Sequence, residues 1–263
     1  MRKKAIVFFN IIVALFLISS CKGNPSKKPN AYEKKDKAPQ SLNSILENVN
    51  SILKDVEEVK KVAIKPELSD EDKEKDSKNK TDEKKTSKEK EIQKLWDSMN
   101  KSINDIHKYW NVYEIEGAKK GITADSTFKF EESINSLTLA IENRDSFNIL
   151  NSGSEVYKNL SSFFDLYKDE IKGDISKIKY CVYKAYLIAE KGEIDASKEV
   201  LTEAENYINN MRIKLTKDKE KSKNVDKISF SIQDMKEVLK LNNSNLLKIK
   251  RDIVLKNLET LEK

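Results

Sequence analysis

The chain has 263 residues with 50 basic and 44 acidic side chains, a formal net charge of +6 and a single histidine. One histidine excludes a metal site built from several imidazoles, and the mixture of Lys and Glu argues against a dedicated nucleic-acid-binding surface. Charged residues make up 36% of the sequence and only six glycines and four prolines interrupt it, a composition typical of long helices.

The first twenty residues carry the strongest pattern in the sequence. Basic side chains at positions 2–4 precede a run over residues 5–18 that is apolar apart from one asparagine, the pattern of an export signal. The run is too short to span a bilayer comfortably, because a transmembrane helix needs roughly 20 apolar residues. It ends at Ser19, Ser20 and Cys21, where two small side chains precede a cysteine.

The segment FLISSCK around Cys21 resembles the lipobox of bacterial lipoproteins, with Ile18 where leucine is commonest. Residues 1–20 are therefore predicted to be a lipoprotein signal peptide, cleaved before Cys21, and Cys21 is the predicted lipidation site. The alternative is an uncleaved N-terminal anchor with an incidental cysteine. Residues 1–20 hold three basic and no acidic side chains, so removing them lowers the formal charge from +6 to +3.

Three segments are predicted between the signal peptide and the main domain. Residues 21–41, with three prolines among Lys, Asn and Ser, predict a disordered tether. Apolar residues at steps of four and three predict an amphipathic helix over 42–64. Residues 65–91 are predicted to be a charged low-complexity linker, since 69–91 hold no apolar side chain, although 83–91 could be helical and supported by Glu–Lys pairs.

Residues 92–263 are predicted to form an all-α antiparallel helical bundle. Its first helix carries both tryptophans on its apolar face, from Ile92 to Tyr113. Helices follow over about 129–143 and 154–171, with Gly173 at the C′ position of the latter. Asp174 is expected to cap a fourth helix that stops at Gly192.

Two regions of the bundle leave alternatives open. The fourth helix and the fifth, over about 196–215, resemble one tetratricopeptide-like hairpin, but an ordinary antiparallel hairpin is favoured because no 34-residue repeat is found. In the C-terminal stretch, apolar residues from Ile228 to Ile253 recur at uninterrupted steps of four and three. This spacing predicts one continuous helix with Asn242 at a core position. The capping residues at 242–245 equally allow two helices.

No pattern in the chain indicates catalysis, a cofactor or a metal. His107 stands beside an apolar stripe and Cys181 lies on one, so a half-buried structural histidine and a buried inert thiol are expected. The tryptophans are expected in the core. A lysine cluster offers a contact surface for acidic partners or glycosaminoglycans, unless it only solvates a loop in which Asp218 and Glu220 are interleaved. The cluster consists of Lys214, Lys217, Lys219, Lys221 and Lys223.

The lipobox, the Pro/Lys/Asn tether, four arginines against forty-six lysines, the Ile/Asn-rich helices and the Lys/Glu linker together carry a resemblance. The chain resembles plasmid-encoded outer-surface lipoproteins of Lyme-disease spirochaetes, a style that includes P35/P37-type antigens and complement-regulator-acquiring surface proteins. The resemblance covers the signal peptide and the general style of the whole chain, and beyond Cys21 no motif is specific.

That resemblance implies a surface-exposed outer-membrane lipoprotein antigen, anchored by its lipid. It implies a non-catalytic module that binds a host protein, namely a complement regulator, plasminogen or a matrix component, with roles in immune evasion. No nucleic acid, small-molecule substrate or cofactor is expected, and the ligand-binding residues are unknown. The alternative is a periplasm-facing scaffold in the cell envelope.

Overall fold

A computed structural model describes residues 37–65, 86–168 and 171–262. Over these residues the chain is all-helical and contains no strand, which confirms the predicted fold class. The eight helices of the described residues are α1 (Gln40–Ile64), α2 (Thr86–Lys120), α3 (Ala124–Glu142), α4 (Ser146–Phe164), α5 (Ile171–Ala189), α6 (Ile194–Lys214), α7 (Lys219–Leu239) and α8 (Ser244–Glu262). The predicted signal peptide, Cys21 and most of the predicted tether lie outside the described residues.

Helix α1 is part of the bundle core. Leu42, Ile45, Ile52 and Val56 are fully buried, and the helix packs against α2 and α4. The predicted bundle domain began at residue 92, whereas the compact unit of the structure runs from Asp36 to Lys263. The difference arises because the buried face of α1 is too wide for a peripheral helix and is covered from two sides.

Of the linker predicted over 65–91, residues 66–85 lie outside the described residues. Helix α2 begins at Thr86, so the helical alternative left open for 83–91 holds from residue 86 onward. The Lys88 Nζ donates hydrogen bonds to the carbonyl oxygens of Ala63, at 2.8 Å, and Lys65, at 3.0 Å. A cation there satisfies carbonyls left free at the end of α1. These contacts place the start of α2 beside the end of α1, so the two helices run antiparallel.

From α2 onward, each helix packs against the next one along the chain. Helix α3 begins five residues before its predicted start, where Thr123 and Ser126 form a capping box. Helix α4 begins after Asp145, whose side chain accepts a hydrogen bond from the Asn148 amide. Local capping chemistry, rather than the apolar stripe, therefore sets both helix starts.

The prediction that Gly173 ends a helix and Asp174 caps the next one is wrong, since both lie in the first turn of α5. A Cβ on Gly173 would come 2.5 Å from the Asp165 Oδ1, so the residue permits a close approach between segments instead. Gly192 does follow the end of α5 as predicted, with a φ of +84°. Helices α5 and α6 form the antiparallel hairpin favoured by the sequence.

The C-terminal stretch forms two helices, α7 and α8, joined by a tight turn in which Asn242 has a φ of +46°. The turn shifts the buried face of α8 by one residue relative to the continuous stripe. Leu247 and Val254 are buried, while Ile249 and Ile253, which were on the predicted stripe, are 47% and 42% exposed. Asn242 is exposed and makes no core contact of the kind a single helix would require.

Candidate functional site

The structure places His107 and Cys181 in structural surroundings. Cys181 is fully buried, and burial raises the pKa of its thiol to about 12, so the thiol is protonated and unreactive. His107 is half-buried with its Nε2 3.0 Å from the Thr138 Oγ1, and burial lowers its pKa. The Thr138 hydroxyl donates to the Ile134 carbonyl oxygen, so the histidine Nε2 is the donor to Thr138.

Both tryptophans belong to the core, as the sequence predicts. Trp110 is 2% exposed, with its ring 4.5 Å from that of Phe130 and 5.4 Å from that of Phe163. Its Nε1 donates to the Glu131 Oε1 at 3.2 Å, which satisfies the indole donor. Trp96 is 4% exposed, so neither ring provides an open stacking surface for a ligand.

Among the described residues, the charged group with the least solvent exposure is Arg251, whose side chain has none. Its Nη1 donates to the Glu57 Oε1 at 3.1 Å and its Nη2 to the Asp252 Oδ1 at 2.7 Å. The guanidinium lies 4.3 Å from the Tyr186 ring centroid, a cation–π distance. This arginine therefore connects α8 to α1 and α5 at once.

The Glu57 carboxylate is held in its charged form by this contact. Burial alone would raise its pKa, but the Arg251 charge and hydrogen bond, together with Lys60 and Lys248, outweigh burial and lower it. The Lys248 Nζ lies 3.3 Å from the Glu57 Oε2. A carboxylate surrounded by cations in this way is a poor general base.

A second buried cation, Lys179, joins the same helices nearer the other end of α8. Its Nζ donates to both Glu262 carboxylate oxygens, at 2.7 and 2.8 Å, and to the Asn50 Oδ1 at 2.9 Å. The Tyr157 hydroxyl donates to the same Asn50 oxygen at 2.6 Å. Burial lowers the Lys179 pKa despite the Glu262 charge. These hydrogen bonds and the ion pair join Lys179, Glu262, Asn50 and Tyr157 to one another, so their polar groups have a structural role within the fold.

Sequence reasoning did not identify Arg251 or Lys179. The sequence did contain a sign that Arg251 is unusual. The chain has only four arginines but forty-six lysines, and Arg251 lies between Leu247 and Val254 on the face that α8 buries. Arginine makes bidentate contacts that a lysine cannot, so a rare arginine on an apolar face indicates a buried ion pair. Lys179 carried no such signal.

The surface offers exposed apolar side chains on the hairpin of α2 and α3. Val112 and Ile115 share one face of α2 and are 62% and 66% exposed, and Phe128 and Leu139 share one face of α3 at 65% and 58%. These four residues are called the α2–α3 apolar surface below. A contiguous group of exposed apolar side chains on neighbouring helices would be typical of a protein-binding surface, whereas single exposed apolar residues are common on any protein.

The predicted lysine cluster lies at the end of α6, the turn after it and the start of α7. Lys214 is paired with Asp174, whose Oδ2 lies 2.7 Å from the lysine Nζ. The side chains of the other four lysines are exposed, and among the described residues none of them forms an ion pair. Asp218 accepts hydrogen bonds from the Glu220 and Lys221 amides and so caps α7.

The described residues provide neither a cluster of metal ligands nor a membrane-spanning helix. Among residues 37–65, 86–168 and 171–262, no group of three or more His, Cys, Asp or Glu side chains is placed to hold a metal ion. No helix in those same ranges is long and apolar enough to cross a membrane.

Comparison of the chain with protein-family models, with curated protein sequences and with solved structures found no match. Any functional conclusion therefore depends on the chain's own residues.

Proposed function

We propose that the chain is a surface-exposed lipoprotein of the outer membrane whose helical bundle binds a host protein without catalysing a reaction. The observation that carries the proposal is the N-terminal sequence: a basic start, a short apolar run, and Ser19 and Ser20 before Cys21. The ligand class, a complement regulator, plasminogen or a matrix component, is taken from the resemblance stated above.

Acylation of Cys21 would determine where the protein resides. Each buried methylene contributes about 0.8 kcal/mol, and stable anchoring takes more than one acyl chain. Metabolic labelling with palmitate tests this step: the wild-type product should carry label and a Cys21→Ser variant should carry none. Equal labelling of the two proteins would remove the anchor from the proposal.

The binding role is supported by the contrast between interior and surface. The buried ionic groups Arg251, Glu57 and Lys179 are paired with one another or with neighbouring side chains, which accounts for them structurally. Packing within the described residues gives no such explanation for the α2–α3 apolar surface, whose side chains are exposed. Binding of a protein partner would cover it and recover the free energy of apolar burial.

Capture of serum proteins on the immobilised chain tests the binding surface. The wild type should retain a defined host protein, and the Ile115→Ser/Phe128→Ser variant should retain it at least about tenfold less, as expected for loss of an apolar anchor. Phe230→Ser is the matched control, because Phe230 is 72% exposed on α7. Loss of capture with the control alone would place the surface elsewhere.

Orientation across the outer membrane is tested with a non-permeant protease on intact cells. Digestion of the protein supports surface exposure. Survival of the protein until the cells are lysed would instead support the periplasm-facing scaffold.

A further inference from the structure

Positive charge is concentrated in one short segment of the bundle. Residues 212–227, which run from the end of α6 into α7, hold seven basic and three acidic side chains, an excess of four positive charges. Residues 21–263 as a whole have a formal excess of three, so the rest of that stretch has a net charge of minus one. We call residues 212–227 the basic corner.

Most of this charge is not neutralised by neighbouring groups. Arg212 pairs with Asp226 within the segment and Lys214 pairs with Asp174. Lys217, Lys219, Lys221 and Lys223 are exposed and, within the described ranges, have no carboxylate within ion-pair distance. Four lysines thus present free ammonium groups to solvent on one turn and the first turns of one helix.

The lysines also oppose the local electrostatics of the fold. Lys219 and Lys221 occupy the first turn of α7, where the helix dipole favours negative charge and disfavours positive charge. Positive charge at these two positions is therefore unfavourable for α7, in contrast to the favourable Asp218 cap and Glu220 in the same turn. A local conflict of this kind is typical of a functional surface.

Two contacts show which end of the bundle carries the basic corner. The Lys172 Nζ donates to the Asn43 Oδ1 at 2.5 Å, which places the start of α5 beside the start of α1. The ion pair between Asp174 and Lys214 places the end of α6 beside that same start of α5. The basic corner therefore lies at the end of the bundle where the chain enters α1.

We infer that the basic corner binds the anionic headgroups of a lipid surface, so that the bundle docks with this end towards the membrane. The inference rests on the proposed acylation of Cys21. The 18 residues between Cys21 and Gln40 can span no more than about 65 Å even when fully extended. A membrane that holds the acylated Cys21 therefore lies within that distance of this end, and anionic headgroups on it would be complementary in charge to the four exposed lysines.

Vesicle binding tests the inference without the lipid anchor. Residues 21–263 carrying Cys21→Ser are sedimented with vesicles of phosphatidylcholine alone, or with phosphatidylglycerol as about one third of the lipid. The test variant carries Lys217→Gln, Lys219→Gln, Lys221→Gln and Lys223→Gln. The matched control carries Lys90→Gln, Lys94→Gln, Lys101→Gln and Lys198→Gln, four exposed lysines outside the corner that remove the same charge.

The wild type and the control should bind the anionic vesicles and not the neutral ones, and added salt should weaken binding. Each lysine near an anionic surface contributes a factor of roughly five, so the test variant should lose at least about tenfold. Equal binding by the test and control variants overturns the inference. So does wild-type binding to immobilised heparin with none to anionic vesicles, which would identify a glycosaminoglycan ligand.

The acylated full-length chain provides a second readout on the same vesicles. Trypsin cleavage after Lys217 to Lys223 should be slower on anionic than on neutral vesicles, and equal rates count against docking. The outcome of the palmitate experiment is independent of vesicle binding. A chain that takes up no palmitate removes the proposed anchor. A chain that is labelled, but whose test variant binds vesicles as well as the control does, removes only the membrane-docking inference.

Discussion

At the scale of single residues, Arg251 joins three helices through one side chain. Its guanidinium is buried between the Glu57 carboxylate and the ring of Tyr186, so it loses its water shell completely. The free energy of removing two charges from water often exceeds the attraction between them. We therefore expect the pair to contribute more to the position of α8 against α1 than to stability.

Removing one partner of the Arg251–Glu57 pair should lower the free energy of unfolding far more than replacing both partners. Arg251→Met leaves Glu57 buried with only lysine partners, and we expect the free energy of unfolding to fall by about 3–5 kcal/mol in urea titrations. Arg251→Met combined with Glu57→Leu should lower the free energy of unfolding much less. Lys179→Met is the matched control with a smaller expected loss, since its partner Glu262 is the last residue of α8 and its side chain can turn to water. A harmless Arg251→Met would contradict this account.

The same pair predicts a pH dependence. The Glu57 pKa is lower in the folded chain than its ordinary value of 4.5, so its contribution to stability is full above that value and is lost as the pH falls through the folded pKa. The wild type should therefore exceed Glu57→Gln in unfolding free energy at neutral pH, and the difference should shrink below about pH 4.5. Urea midpoints across a pH series measure this, and a constant difference would argue against it.

At the scale of helices, α1 and α4 approach closely at Gly153. A Cβ placed there would lie 2.5 Å from the Cδ2 of Leu53, and the Leu53 side chain is itself buried. The glycine lowers the helix propensity of α4 by about 1 kcal/mol relative to alanine, so its presence indicates that the close contact with α1 is worth more.

We expect Gly153→Ala to lower the free energy of unfolding by about 1–3 kcal/mol through overpacking. In a Leu53→Ala background, the same substitution should become stabilising, because the steric conflict is gone and only the gain in helix propensity remains. Chemical denaturation of the four proteins of this double-mutant cycle tests the reversal of sign. Parallel losses in both backgrounds would show that Gly153 does not act through Leu53.

The turn between α7 and α8 decides which face of α8 is buried. Asn242 adopts a φ of +46°, a backbone conformation that costs most residues roughly 1–2 kcal/mol. Asn242→Gly should raise or preserve the thermal midpoint and Asn242→Ala should lower it, as followed by circular dichroism. An Asn242→Ala protein as stable as the wild type would indicate that the turn is not held by this backbone conformation.

At the scale of the whole molecule, α1 completes the core although a long charged segment separates it from α2. Deletion of residues 21–64 should expose the apolar groups that α1 covers on α2 and α4 and abolish cooperative unfolding. Deletion of residues 21–35 alone is the control and should leave the unfolding transition in place. Cooperative unfolding after the larger deletion would show that α2 to α8 form an independent domain.

Much of the architecture could be predicted from apolar periodicity. The helix over α1, the core position of Trp96 and Trp110 and the buried state of Cys181 all follow from a repeat of 3.6 residues. Helix starts were predicted less well, because Thr123 and Asp145 cap helices through local hydrogen bonds that an apolar stripe does not reveal. Ile249 and Ile253 were assigned to the buried face because the stripe continues through the turn without a slip.

The sequence by itself determined the all-helical class, the apolar faces and the excess of lysines at residues 212–227, since each depends only on neighbouring residues. Only the tertiary structure decided that α1 belongs to the core, that Arg251 meets Glu57 and that the basic corner lies beside the start of α1. These contacts join residues far apart in the chain. Periodicity specifies which face of a helix is buried but not which helix covers it.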